Sequence, residues 1–411
     1  MTNSAPAPPA AEAAAARPPL WTREFTCLLC IIFCSFLNMA VFFQFNSYLL
    51  GLGLGEETSG LLIGVFSLVA VLMRPVISPL MEPHNAGRWI LFSSLGCIAS
   101  LALYNFFTGA AALMAVRIVH GAVYTVLGVA ATARLVAAIP PSRSGEAFGM
   151  MAVITLLPFA VVPPVAIWLF RVWGGFLPVL NLAGLFLLVN LPLLALTGSP
   201  GGAARPAGAK RIHLGELKEN LTDRRVSGLL GVSLLAYTAF GGVFFFAEGL
   251  GKSVGVANVG WFFTANTLAE ILVRVVLGSW FDRTNKKAAL GGALGFLTLC
   301  FAALGTLAWW LPAVGGVSPL TVFLGLGVLL GLGWGVAMPL LNALLFDSSE
   351  PRFRPLNINL GLEAFQAGLF FGPLVGGLIL AGASYGAVFL ASAGCSLAGA
   401  ALLPLVFRRR A

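Results

Sequence analysis

The chain has 411 residues, of which 59% are hydrophobic and 9% charged, and its formal net charge is +9. Soluble domains carry roughly 25% charged residues, so packing this much apolar material into one water-soluble core is not workable. The positive excess could suit nucleic acid, but its distribution along the chain follows membrane orientation instead.

Residues 1–22 are rich in Ala and Pro and lack a basic stretch followed by an apolar core. They are expected to be a disordered cytoplasmic tail rather than a cleaved signal. Apolar runs of about 20 or more residues, long enough for a hydrocarbon layer roughly 30 Å thick, then place spans near 26–50, 58–82, 89–108, 111–138, 147–170 and 174–196. The polar segment 197–225 opens with Pro200, Gly201 and Gly202 and carries Lys210, Arg211, Lys218, Arg224 and Arg225. It reads as a linker with a short surface helix through Leu214–Leu221. Six further spans fall near 226–250, 258–281, 288–311, 318–346, 357–382 and 384–407. The fold class is therefore an all-α integral membrane protein of twelve helices, with one six-helix bundle in 23–196 and a second in 226–411. Cys27, Cys30 and Cys34 share a helical face, but no His or carboxylate joins them, so apolar packing is the better reading than a metal site.

With the N-terminus in the cytoplasm, 19 of the 24 Lys and Arg fall on cytoplasmic segments. Only Arg171 and Lys252 fall on the far side, and Arg74, Arg117 and Arg274 are embedded in spans. The asymmetry predicts both termini inside. A second regularity is a repeat 200 positions apart, which pairs Leu50 with Leu250, Gly60 with Gly260, Arg74 with Arg274, Ser78 with Gly278 and Glu82 with Asp282. A duplicated half in so apolar a chain predicts two bundles related by pseudo-symmetry, an arrangement that suits a transporter.

Short motifs sit on this frame. Between the eighth and ninth spans runs Gly278-Ser279-Trp280-Phe281-Asp282-Arg283-Thr284-Asn285-Lys286-Lys287, and between the second and third a degraded copy, Ser78-Pro79-Leu80-Met81-Glu82-Pro83 with Gly87-Arg88. The fourth span contains Arg117-Ile118-Val119-His120-Gly121, followed by Arg143-Ser144-Gly145-Glu146 in the next loop. The eleventh contains Gly368-Leu369-Phe370-Phe371-Gly372-Pro373-Leu374-Val375-Gly376-Gly377. These segments resemble the major facilitator superfamily over nearly the whole chain. The resemblance implies alternating access, and a cytoplasmic latch built from Glu82, Arg88, Asp282, Arg283, Lys286 and Lys287. It also implies a link between Arg117 and proton coupling. The Gly-Pro segment resembles one that exporters carry in the fifth span, where this chain has Pro158, Pro163 and Pro164 without those glycines.

Charges inside spans are costly and need a partner or a wet cavity. Glu270 and Arg274 are four apart with the acid N-terminal, the favoured order for a helical ion pair; they form a structural pair or a proton or substrate site, and Asn266 extends their stripe. Arg74 has no acid within a turn. It either faces Arg274 across the halves, where the two would hold a carboxylate, or serves in anchoring, by snorkelling to headgroups, or in a structural pair. His120 is a proton carrier or a packing residue. Glu363, with Asn359 and Gln366 on the same side and no cation within a turn, is a proton carrier or sits in a wet vestibule. Glu248, beside Lys252, is expected at the interface, and its repeat mate Tyr48 points to a cavity mouth as the alternative.

There is no Walker loop, HExxH, nucleophile elbow or Cys/His zinc pattern. No cofactor and no enzymatic activity are expected, and a membrane enzyme or receptor is the weaker reading. The expected protein is a monomeric secondary transporter of a small organic solute in the cell inner membrane. Protons are the expected coupling ion, efflux is favoured, and uptake or exchange of an organic anion is the alternative. The bilayer is its partner and nucleic acid is not.

Overall fold

The computed structural model describes residues 19–140, 143–197 and 220–408. Most of the expected tail, and the expected linker with its helix at Leu214–Leu221 up to residue 219, lie outside the described residues. Among the described residues every regular element is helical, and eleven helices are long and apolar enough to cross a membrane. In the first half these are α1 (Arg23–Gly51), α2 (Glu56–Ile77), α3 (Pro83–Leu103), α4 (Ala110–Ala137), α5 (Ser144–Trp173) and α6 (Phe176–Leu196). In the second they are α7 (Arg224–Ser253), α9 (Lys286–Gly305), α10 (Pro319–Ser348), α11 (Arg354–Leu380) and α12 (Tyr385–Phe407). Between α7 and α9 lies α8 (Gly260–Val276), whose 17 residues sit at the lower limit for a span. It breaks at Leu277, and the chain continues in a short helix at Gly278–Arg283.

Local chemistry explains the helix starts. Thr22, Asp223, Asn285, Ser318 and Ser384 each accept an N–H of the first turn with a side-chain oxygen. The third span begins six residues earlier than hydropathy suggests. Glu82 is its N-cap, Pro83 takes the first helical position, and Asn85 Oδ1 accepts the Glu82 N–H at 3.0 Å. The polar stretch that hydropathy assigns to a loop is therefore the first turn of α3.

Packing repeats with a shift of six helices. In the first half α1 lies on α5 and α6, α3 on α4 and α2 on α4; in the second α7 lies on α11 and α12, α9 on α10 and α8 on α10. The halves meet along two seams, α2 against α11 and α5 against α8. These exchange under the same shift, as pseudo-symmetry requires. Alternation of the spans puts the described chain ends and the linker side at one end of the bundle (the terminal end). The α1–α2 and α7–α8 connections lie at the other (the distal end). The outer surface exposes Leu72, Phe92, Leu272, Leu299, Leu378 and Leu397, an apolar jacket that only a lipid solvent tolerates.

Candidate functional site

The two seams close through glycine. The backbone of Gly60 on α2 lies against the carbonyl of Pro373 and Cα of Gly377 on α11. Its repeat mate Gly260, at the start of α8, lies against Pro163 and Pro164 of α5. Without a Cβ, backbones approach until carbonyls touch. The Gly-Pro segment of α11 serves both neighbours, since Gly368 and Gly372 sit against Tyr237, Thr238 and Gly241 of α7. Polar contacts reinforce the distal part: Thr264 Oγ1 donates to Ala160 O at 2.5 Å, and Arg171 Nη2 to Ala257 O at 2.7 Å. Ring contacts join Phe43 to Phe263 and Phe159 to Phe244, each at 5.4 Å between centroids.

Toward the terminal end, among the described residues, one ion pair crosses the seam. Arg74 Nε of α2 stands 3.7 Å from Glu363 Oε1 of α11, with side-chain exposures of 29% and 16%. That spacing is too long for a hydrogen bond. Arg74 Nε and Glu363 Oε2 are themselves shielded from solvent and have no hydrogen-bond partner. The two groups that lack a counter-charge within a turn on their own helices thus face each other across the halves. Arg274 is placed differently from its repeat mate. It pairs with Glu270 on its own helix and leans on Met338 Sδ of α10 at 3.5 Å. Glu270 is buried, Asn266 Oδ1 one turn away is buried without a partner, and Gln366 of α11 is half-buried.

Arg117 and His120 lie inside the first bundle rather than on a seam. Arg117 is 1% exposed. Its Nε donates to Leu62 O at 2.9 Å and its Nη2 to Ile63 O at 2.8 Å, both on α2. The guanidinium also lies 4.6–4.9 Å from the centroids of Phe42, Phe45 and Phe66. Carbonyl acceptors and ring faces together stand in for the lost hydration of the cation. His120 Nε2 lies 3.3 Å from Asn38 Nδ2, and its ring is boxed by Phe42, Phe66, Tyr104 and Tyr124.

Of the residues expected in a latch, Glu82 pairs with His84 Nδ1 at 3.1 Å beside the cap of its own helix. Lys286 pairs with Asp347 at 2.7 Å within the second half, and Lys287 lies 4.0 Å over the Phe407 ring. Arg88 and Arg283 are exposed, and the side chain of Asp282 lies outside the described residues.

Glu248, near the distal end of α7, lines a cavity where the two halves meet. It is 1% exposed and accepts from Gln44 Nε2 and Ser47 Oγ of α1, both at 2.6 Å, and from Lys252 at 2.5 Å. Gln44 and Ser47 escaped the sequence reading. Their signal is a set of polar side chains (Asn38, Gln44, Asn46, Ser47) in the distal half of an otherwise apolar span.

A profile of the Major Facilitator Superfamily matches residues 28–316 and 229–411. The nucleoside transporter NupG superposes with a TM-score of 0.74 at 15% identity, covering 95% of this chain and 100% of that one. A bacterial homolog of the human lysosomal transporter Spinster, crystallised inward-facing and unoccupied, superposes at 0.72 with 14% identity over 95% and 96% of the two chains. Among curated proteins, the MFS efflux transporter aclA of Aspergillus oryzae (strain ATCC 42149 / RIB 40) is 27% identical over 152 residues, which span 37% of this chain and 25% of that protein. Twin six-helix bundles, swapped seams and a profile match along the chain lead to one assignment: the protein belongs to the Major Facilitator Superfamily, a multi-pass membrane transporter acting on small molecules.

Proposed function

We propose that the chain is a secondary active transporter of a small organic solute, coupled to protons and working in the efflux direction across the inner (plasma) membrane. The observation that carries this reading is the under-bonded pair Arg74–Glu363, contributed by opposite halves and only partly buried. Rocking of the halves separates the guanidinium from the carboxylate. Glu363 then exchanges a proton with water, and return of Arg74 expels it, so proton movement is tied to the change of access. Glu270 with Arg274, and Asn266 and Gln366, supply the remaining polar groups of the path. Glu82, Arg88, Asp282, Arg283, Lys286 and Lys287 are the proposed terminal-side latch, and Arg117 and His120 the proposed coupling elements inside the first bundle. The cation asymmetry supports cytoplasmic termini, and the protein is read as a monomer. The efflux direction is supported by the name of a curated relative. Uptake or exchange of an organic anion is a second reading, favoured by the unmet Nε–H of Arg74.

The test is reconstitution into liposomes that trap a pH-sensitive dye, with a panel of amphipathic solutes and organic anions. Wild-type protein is expected to move protons when a transported solute is added. Solute-driven proton flux that persists unchanged in an E270Q/E363Q double variant rejects the proton assignment. Flux that reverses with the gradient and responds only to organic anions favours the second reading.

A further inference from the structure

Arg171, in the last turn of α5, and Lys252, in the last turn of α7, are the two cations of the sequence that fall on the side away from the chain termini. Both line one cavity of about 240 Å³ at the distal end, where α1 and α5 of the first half meet α7 and the α7–α8 connection of the second. Its apolar walls are Ile167, Phe170 and Val259. We propose that this cavity binds a small organic anion, with its carboxylate between Arg171 and Lys252 and its apolar body against Phe170 and Val259.

Four features support the assignment. A face that carries so few cations concentrates both on one hollow, where chance would scatter them. Arg171 spends one Nη–H on Ala257 O; a guanidinium has five N–H donors in a fork that matches a carboxylate. The acid in the cavity, Glu248, is already occupied by Gln44, Ser47 and Lys252. It leaves the cavity lining with one more positive than negative side chain. The volume lies below the roughly 300–1,000 Å³ that drug-sized ligands use, which points to a compact acid with a single ring or short tail. Because the walls come from both halves, a bound anion bridges them and favours the state in which the distal end is closed. This site is separate from Arg74 and Glu363, and its existence does not depend on the proton reading.

The test uses detergent-purified full-length protein and benzoate, with benzamide as a neutral analogue of the same shape. Benzoate is expected to raise the thermal midpoint saturably and to bind in calorimetry, while benzamide does neither. R171Q and K252Q are each expected to weaken benzoate binding at least about tenfold, and R171K, which keeps the charge, to weaken it less than R171Q. Should R171Q fold poorly, K252Q carries the comparison. Equal binding of benzamide, or wild-type affinity in both Gln variants, overturns the proposal. Loss of binding in R74Q with wild-type affinity in R171Q also overturns it, by placing the anion at the other seam. Binding that disappears once anionic lipid is added assigns the cavity to a lipid headgroup and likewise overturns it. Proton flux of the R171Q/K252Q variant in liposomes reads the coupling mechanism separately.

Discussion

Replacing Gly60 or Gly260 with alanine tests whether the distal closure is a working state of the protein. At Gly60 the new methyl would run into the carbonyl oxygen of Pro373, with Gly377 Cα at 3.1 Å and Pro373 C at 3.2 Å. At Gly260 it would run into the backbone of Pro163 and Pro164. These obstacles are backbone atoms that cannot rotate aside, so the helices must part by roughly 1 Å to restore ordinary contact. Overpacking of this kind costs about 1–3 kcal/mol. The clash exists only where the seam is closed, so the equilibrium shifts toward the distal-open state by about 5–150-fold. Hydrogen exchange in lipid nanodiscs, followed by mass spectrometry, reads this shift at the distal ends of α1 and α7. Those segments are expected to exchange faster in G60A and G260A. The control is G292A, where an added Cβ meets nothing within 4 Å and helix propensity slightly favours alanine. Wild-type exchange in both seam variants would refute the reasoning, because the observed approach would then not constrain the protein in a membrane.

Three further outcomes follow from the same contacts. Removing Arg274 strands the buried carboxylate of Glu270, so R274M is expected to lose about 3–5 kcal/mol of stability, whereas E270L/R274M recovers most of it in thermal unfolding while transport stays lost. R117K keeps the charge but gives up the paired carbonyl bonds and ring stacking of a planar guanidinium; a loss of about 1–3 kcal/mol in thermal unfolding is expected, and an unchanged midpoint would mean that Arg117 is not held as described. E248Q supplies one acceptor oxygen where Gln44, Ser47 and Lys252 offer three donors, so it is expected to speed exchange at the distal ends of α1 and α7, and no change there would show that this clasp does not hold the halves.

The solvent, the spans and the duplication were readable from the chain alone, because each rests on short-range periodicity or on a fixed offset. Lipid demands about 20 apolar residues in a row, and a repeat of 200 positions forces equivalent residues into equivalent places, so Gly60 and Gly260 both emerge at seams. Glu270 and Arg274 were legible for the same reason: four positions on one helix bring two side chains together whatever the rest of the molecule does. Hydropathy misjudged the start of α3, since a polar turn held by Glu82, Pro83 and Asn85 is still helix. What the chain could not disclose was who meets whom across the halves. Arg74 and Glu363 are far apart in sequence and belong to different bundles, and the repeat suggested Arg274 opposite Arg74. The position of Glu248 between Gln44 and Ser47, and the convergence of Arg171 and Lys252, likewise depend on how two rigid bundles dock. Helical periodicity determines which side of each span is polar; only the packing of α2 on α11 and α5 on α8 decides which polar sides touch, because that contact is set by backbone approach at glycines and by no local pattern.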